Sequence, residues 1–253
     1  MPRALAELAS IPHCLPLLSL APQGDGHGVF VIPGLGASDR STYILRRFLD
    51  AKGYTSAGWG MGKNLGIARS GGADQLLDQF LAFQQRLGGK VSIVGWSLGG
   101  VHARRIARAL PEHVRQVICL GSPITGSPTD TPEWNPQTRA QQNVDSASFE
   151  QMQKFQFKPI EAPCTSIYSK SDGVVPWRMS QETNARETDN IEVVASHIGL
   201  GVNPSVFYII AKQLAQAEGH WRPFDCDYWP NRLALKALNP TADIFTALVR
   251  QPL

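Results

Sequence analysis

The chain has 253 residues, enough for one α/β domain with a sizeable core, or for one such domain with an insertion. Hydrophobic residues make up 43% of it and charged residues 18%, the balance of an ordinary soluble globular protein. The net charge of +3 is too small to indicate nucleic acid or an anionic membrane as a partner. No window approaches the length of uncharged apolar sequence that a transmembrane helix needs.

Residues 1–27 precede the first clear strand pattern and are apolar enough to raise the question of a signal peptide. Arg3 alone supplies positive charge, and Glu7 opposes it. Pro12 and Pro16 interrupt the apolar run, so the segment does not match a secretory signal. We interpret it as a segment that docks on the rest of the domain, and we expect the protein to be cytoplasmic.

From residue 28 onward, strand patterns alternate with helix patterns. This alternation predicts a mostly parallel sheet with helices on both faces, whose reactive groups gather beyond the carboxyl ends of the strands. The predicted strands cover residues 28–32, 54–57, 90–94, 115–120, 164–169 and 191–195, and the predicted helices cover residues 39–51, 73–87, 101–110, 178–186 and 202–216.

The alternation stops over residues 122–163, which are polar and rich in Pro, Thr, Gln and Ser. A loop of that length inside a compact domain is typical of a lid or an insertion. It starts at the edge of the sheet where reactive groups are expected, which favours a cap over a pocket. We therefore predict a core over residues 28–217 with this lid-like insertion, followed by a C-terminal extension over residues 218–253 that carries several aromatic residues.

The four cysteines show neither C-x-x-C pairing nor the spacing of metal ligands. Cys119 and Cys164 lie in predicted strands, which favours buried free thiols and a reducing compartment. The chain also lacks H-E-x-x-H and a dinucleotide-binding fingerprint, so we expect neither a metal ion nor a cofactor.

The stretch Gly95-Trp96-Ser97-Leu98-Gly99 joins a predicted strand to a predicted helix. Strand, G-x-S-x-G and helix in this order are the context of a nucleophile elbow. The two glycines let strand and helix approach each other closely, and the strained corner lifts the serine clear of the sheet. The pattern predicts Ser97 as a nucleophile.

A serine hydroxyl needs a base that is held in one orientation. Asp172 and His197 each follow a predicted strand, and the order Ser, Asp, His suits a triad built on strand ends. We predict that His197 is the general base and acid, and that Asp172 orients it. Asp130 and Glu133 in the insertion remain alternatives for the acid. His102, one turn into the helix after the elbow, is interpreted as a packed or hydrogen-bonded side chain.

A tetrahedral intermediate needs two hydrogen-bond donors that point at its oxyanion. The backbone N–H of Leu98, directly after the nucleophile, is the first candidate. The second is expected from the loop after the first strand, where Pro33-Gly34-Leu35-Gly36 allows close backbone approach. Leu35 is the predicted donor in that loop.

These motifs together resemble the serine hydrolases of the α/β-hydrolase fold, and among them the small bacterial lipases and esterases. The resemblance covers roughly residues 28–216. It implies a single α/β-hydrolase domain that cleaves carboxylic esters of small-molecule or lipid-like substrates through an acyl-enzyme, without a cofactor.

Two positions depart from the usual family pattern. Pro33 stands where a histidine commonly precedes the oxyanion glycine, and Trp96 stands where lipases mostly have histidine. The resemblance also includes carboxylesterases with Trp at that position that act on short or carrier-bound acyl groups. Two alternatives therefore stay open: an acyltransferase or thioesterase with the same three residues, and a hydrolase-fold protein that binds a ligand without turnover.

Overall fold

A computed structural model describes residues 2–125, 158–183 and 186–239 of the chain. Its centre is a six-stranded sheet in which every pair of neighbouring strands is parallel. In chain order the strands are β1 (Gly28–Ile32), β2 (Thr55–Gly58), β3 (Val91–Trp96), β4 (Val114–Leu120), β5 (Cys164–Tyr168) and β6 (Thr188–Glu192). Their order across the sheet is β2-β1-β3-β4-β5-β6.

Helices cover both faces of this sheet. They are α1 (Pro2–Ser19), α2 (Tyr43–Ala51), α3 (Gly72–Leu87), α4 (Leu98–Ala109), α5 (Pro204–Leu214) and α6 (Trp229–Leu238). Side chains of α1, α2, α5 and α6 form the hydrophobic core on one face, and side chains of α3 and α4 form the core on the other. The predicted fold class, a mostly parallel sheet between two layers of helices, is confirmed.

The strand β1 shows why the sheet needs both layers. All five of its residues are buried. Val29 and Val31 belong to the core on one face, whereas Phe30 and Ile32 belong to the core on the other. Successive side chains of a strand point to opposite faces, so an apolar run without alternation requires cover on both.

Two predicted elements differ clearly from those observed, whereas the bounds of the others shift by four residues or fewer. The last strand ends at Glu192 rather than at residue 195, because Glu192 is paired with Tyr168, where β5 itself ends. The helix predicted over residues 178–186 is replaced by a short 3-10 helix, Trp177–Ser180. After this 3-10 helix, the side chain of Asn190 on β6 accepts from the N–H of Glu182 at 2.7 Å and donates to its carbonyl at 2.9 Å. These two bonds hold the backbone at Glu182 beside β6.

The segment ahead of the sheet forms the helix α1, although prolines interrupt its sequence. Pro12 and Pro16 lie within the helix on its exposed side. Cys14 and Leu18 are buried against the core that α5 and α6 share. Packing of this inner face therefore offsets the backbone hydrogen bonds that proline cannot donate.

Most of the predicted lid-like insertion, residues 126–157, lies outside the described residues. Cys119 and Cys164 are buried free thiols. No helix in the described ranges is long and apolar enough to cross a membrane.

Candidate active site

Ser97 occupies a sharp corner between β3 and α4. Its φ of 54° makes it the one non-glycine residue with a positive φ in the described part of the chain. Such a conformation stores backbone strain and persists only where the surroundings impose it. The Ser97 N–H donates to the Leu120 carbonyl at 2.8 Å, which ties the corner to the end of β4.

The glycines of the corner have no room for a side chain. A β-carbon at Gly95 would overlap the backbone of Gly99 and Gly100, and one at Gly99 would overlap the carbonyl of Ile32 on β1. The close approach of strand and helix expected at the G-x-S-x-G stretch is therefore present in the structure.

We expect Gly99→Ala to lower the free energy of unfolding by about 1–3 kcal/mol, because an overpacked core must move backbone to make space. Urea unfolding followed by circular dichroism measures the loss. Gly89→Ala is the matched control, since its β-carbon would meet nothing within 4 Å. The control is expected to change stability by less than about 0.5 kcal/mol. Equal effects at the two positions would contradict the prediction.

Three side chains form one hydrogen-bonded line at the corner. Nε2 of His197 lies 2.9 Å from Oγ of Ser97, and its Nδ1 lies 2.7 Å from Oδ2 of Asp172. An ionised carboxylate only accepts hydrogen bonds, so Nδ1 carries the proton and Nε2 is the acceptor that faces the serine hydroxyl. Oδ1 of Asp172 accepts from the N–H groups of Val174 and Val175, at 2.8 and 2.9 Å.

The structure thus brings together the three residues predicted as a triad, although their positions in sequence span 100 residues. The carboxylate of Asp172 is 1% exposed and the imidazole of His197 is 10% exposed. The alternatives for the acid, Asp130 and Glu133, lie outside the described residues.

Trp96 supports the histidine from the elbow side. Its indole N–H donates to the carbonyl of His197 at 3.1 Å, and the two rings lie 6.4 Å apart. The residue that departs from the lipase pattern therefore contacts the backbone of the predicted base. This role could not be read from the sequence, because the two residues meet only in the fold.

The loop after β1 packs directly on the elbow. A β-carbon at Gly34 would lie 3.2 Å from Cβ of Ser97, which is tighter than an ordinary contact. Leu35 and Leu98, the predicted oxyanion donors, both line the pocket that Ser97 and His197 enter.

One residue that sequence reasoning missed, Asn64, holds this loop in place. Its side-chain amide donates to the carbonyl of Pro33 at 2.8 Å. Its backbone accepts from Gly36 N–H at 2.6 Å and donates to the carbonyl of Ala37 at 2.8 Å. Asn64 lies in a glycine-rich loop whose spacing matches no phosphate-binding motif, and the sequence offers no other signal for a role in positioning.

His102 is buried behind Asn64, as the sequence indicated for a packed histidine. Its ring stacks on Trp59 at 6.3 Å, and its Nε2 lies 3.3 Å from Oδ1 of Asn64. Burial lowers the pKa of His102 to about 3, and the charge of Arg105 lowers it further in the same direction. The imidazole is therefore neutral in the folded protein above that pH.

This buried histidine predicts a loss of stability in acid. The unfolded chain takes up a proton near pH 6.5, but folded His102 does not until about pH 3, so stability falls as the pH drops through that window. The contribution to the slope is up to about 1.4 kcal/mol per pH unit. Urea unfolding of wild type and His102→Gln at several pH values measures it. We expect the two curves to converge toward acid pH; parallel curves would contradict the assignment.

The pocket in front of Ser97 has a volume of about 500 Å³. That volume suits a small organic ligand. Arg69 and Arg105 contribute charge to its wall. Apolar side chains on the wall include Leu35, Leu65, Ile67, Val101, Val174 and Ile198.

The parallel sheet, the elbow and the site at its carboxyl edge define an α/β hydrolase. The family profile of the alpha/beta hydrolase fold matches residues 15–152, more than half of the sequence. The chain belongs to this family. A search of curated proteins found no match.

Solved structures share the fold at low sequence identity. One, described with the metagenome-derived lipolytic enzymes LipS and LipT, is 16% identical with a TM-score of 0.55, over 76% of this chain and 93% of that one. Alpha/beta hydrolase domain-containing protein 10 from mouse is 16% identical with a TM-score of 0.54, over 75% and 88%. The monoacylglycerol lipase of Paleococcus ferrophilus is 15% identical with a TM-score of 0.50, over 86% and 95%.

Proposed function

We propose that the chain is a serine hydrolase that cleaves carboxylic esters through an acyl-enzyme. The observation that carries the proposal is the hydrogen-bonded line from Ser97 through His197 to Asp172 beside an apolar pocket of about 500 Å³. The lipolytic enzymes among the structures that share its fold add support.

Acylation uses this line as it stands. Oγ of Ser97 attacks the ester carbonyl carbon while its proton passes to Nε2 of His197. Asp172 stabilises the imidazolium that forms and keeps its ring in place. When the carbon–oxygen bond to the alcohol breaks, Nε2 returns the proton to the leaving oxygen, and the acyl group remains on Ser97.

Deacylation follows the same steps with water as the nucleophile. His197 takes a proton from the water, the carbonyl carbon accepts the hydroxide, and the bond to Oγ breaks with the proton returned to Ser97. In both halves the backbone N–H groups of Leu35 and Leu98 donate to the oxyanion. The apolar wall of the pocket favours a small-molecule or lipid-like ester with an apolar group.

A fluorophosphonate probe tests this proposal, because it reacts with activated serines. Peptide mass spectrometry of the folded wild-type chain is expected to place the label on Ser97, and His197→Ala is expected to lose it. His113→Ala is the matched control and should label like the wild type, since His113 lies in the turn before β4. A folded wild type without label would overturn the proposal.

A panel of p-nitrophenyl esters and matched thioesters, with and without an added alcohol, then tests the reaction class. We expect free acid as the main product from esters. Predominant transfer to the alcohol, or turnover of thioesters alone, would contradict ester hydrolysis while leaving the nucleophile in place.

A further inference from the structure

A buried carboxylate on α1 holds the residue that precedes His197. The side chain of Glu7 is 1% exposed. Its Oε1 accepts from the backbone N–H of Ser196 at 2.9 Å, and its Oε2 accepts from the hydroxyl of Ser196 at 2.6 Å. Both oxygens of Glu7 therefore bond the same residue, 189 positions away in sequence.

The contact extends into the turn after the histidine. Oγ of Ser196 also accepts from the N–H of Gly199 at 3.0 Å, and the carbonyl of Ser196 accepts from Leu200 at 2.9 Å. A β-carbon at Gly199 would overlap the Glu7 carboxylate, so the helix and the turn are in close contact. Glu7 thus fixes the backbone on the N-terminal side of His197 and the turn beyond it.

The chain has a separate anchor for the other end of α1. Nζ of the buried Lys52 donates to the carbonyls of Ser19 and Ala21, at 2.8 and 2.7 Å. Glu7 and Lys52 are both buried ionisable residues, and each links α1 to another part of the chain. Of the two, only Glu7 bonds Ser196, the residue next to His197. Placing a carboxylate in a buried site has a desolvation cost, which two hydrogen bonds and Arg3 at 3.7 Å offset.

We propose that Glu7 is a positioning residue for His197, so that α1 is part of the catalytic unit. The inference rests on the proposed function. Nε2 of His197 lies 2.9 Å from Oγ of Ser97, and this distance depends on where the backbone next to Ser196 holds the imidazole. Misplacement of a catalytic group by about 1 Å can lower a rate on the order of a hundredfold.

The test compares Glu7→Ala, Glu7→Asp and Glu7→Gln with Lys52→Met in the full chain. The rate constant for fluorophosphonate labelling of Ser97, and kcat and KM for a p-nitrophenyl ester, are measured per folded molecule, with the folded fraction taken from urea unfolding curves. Glu7→Asp keeps the charge but withdraws the carboxylate by one methylene, so it answers the question even if Glu7→Ala does not fold.

We expect Glu7→Ala to lower both kcat and the labelling rate about a hundredfold with little change in KM, and Glu7→Asp to lower them about tenfold. Glu7→Gln should recover to within about threefold of wild type, because its amide can accept from the Ser196 N–H and donate to the Ser196 hydroxyl. Lys52→Met should lose stability and keep its labelling rate.

Two results would overturn the inference while leaving the proposed function intact. One is labelling of Glu7→Ala or Glu7→Asp at the wild-type rate. The other is an equal loss of rate in Lys52→Met, which would make α1 a general support of the fold. A wild-type chain that takes no label would overturn the proposed function, and this inference with it.

Discussion

Replacing Ser97 by alanine is expected to lower kcat for ester hydrolysis on the order of a millionfold, because no other group on the proposed path can hold the acyl chain. His197→Ala is expected to cost about as much. The double variant should be no worse than either single variant, since nucleophile and base act as one unit. Equal, non-additive losses are the signature of the hydrogen-bonded line seen at the elbow.

Steady-state kinetics with a p-nitrophenyl ester measure these losses, and urea unfolding verifies that the variants fold. Ser56→Ala is the matched control: Ser56 lies on the edge strand β2, where its hydroxyl donates to Asp50 at 2.7 Å. Its kcat should stay within about twofold of wild type, as for a surface change of small effect. Activity of Ser97→Ala within about a hundredfold of wild type would contradict Ser97 as the nucleophile.

The same experiment extends to Asp172→Asn, whose effect follows from the bonds of the carboxylate. If the asparagine oxygen keeps the N–H groups of Val174 and Val175, its amide points at Nδ1 of His197. Nδ1 must then accept, which puts the proton on Nε2 and leaves no acceptor for the serine hydroxyl. A loss in kcat of about ten thousandfold is expected for a base in the wrong tautomer.

The largest expected loss of stability is at a buried ion pair between α4 and the segment before β6. Arg104 and Glu182 form this pair with side chains 1% and 0% exposed. The guanidinium of Arg104 also donates to the carbonyl of Lys158 at 3.1 Å. Removing one charge leaves the other buried without compensation, so Glu182→Gln should lower the free energy of unfolding by about 3–5 kcal/mol.

A double variant, Arg104→Met with Glu182→Leu, separates the charge from the packing. It should restore most of the stability, because an apolar pair of similar volume avoids the desolvation of both charges. Urea unfolding at pH 7 gives all the values. If the free energy of unfolding of Glu182→Gln lies within about 1 kcal/mol of the wild-type value, another group compensates the charge of Arg104 and the prediction is wrong.

The parts of the fold that follow from local sequence were predictable. The apolar run of β1 and the glycines around Ser97 each predict their local structure from a few neighbouring residues. A strand buried on both faces and a tight corner each need particular residue types. Asp172 and His197 could be predicted from their places after strands, since parallel strands bring their carboxyl ends to one edge.

The polar residues that tie distant parts of the chain together were not predictable in this way. Glu7, Asn64 and Glu182 act through partners that are distant in sequence, and no local pattern distinguishes a buried carboxylate from a solvated one. The sequence indicated Glu7 only as a charge opposed to Arg3. Its bonds to Ser196 depend on the docking of a whole helix.

The docking of α1 also constrains when the protein can become complete during synthesis. Glu7 bonds a residue 189 positions later, and Sγ of Cys14 lies 3.9 Å from the carbonyl of Leu238, 224 positions later. At translation rates of about 5–20 residues per second, these partners leave the ribosome on the order of ten to forty seconds after α1 does. For most of that interval α5 and α6, which share a core with Cys14 and Leu18 of α1, have not yet been synthesised. The helix α1 is thus made before α5 and α6 but completes its packing only after they have been made.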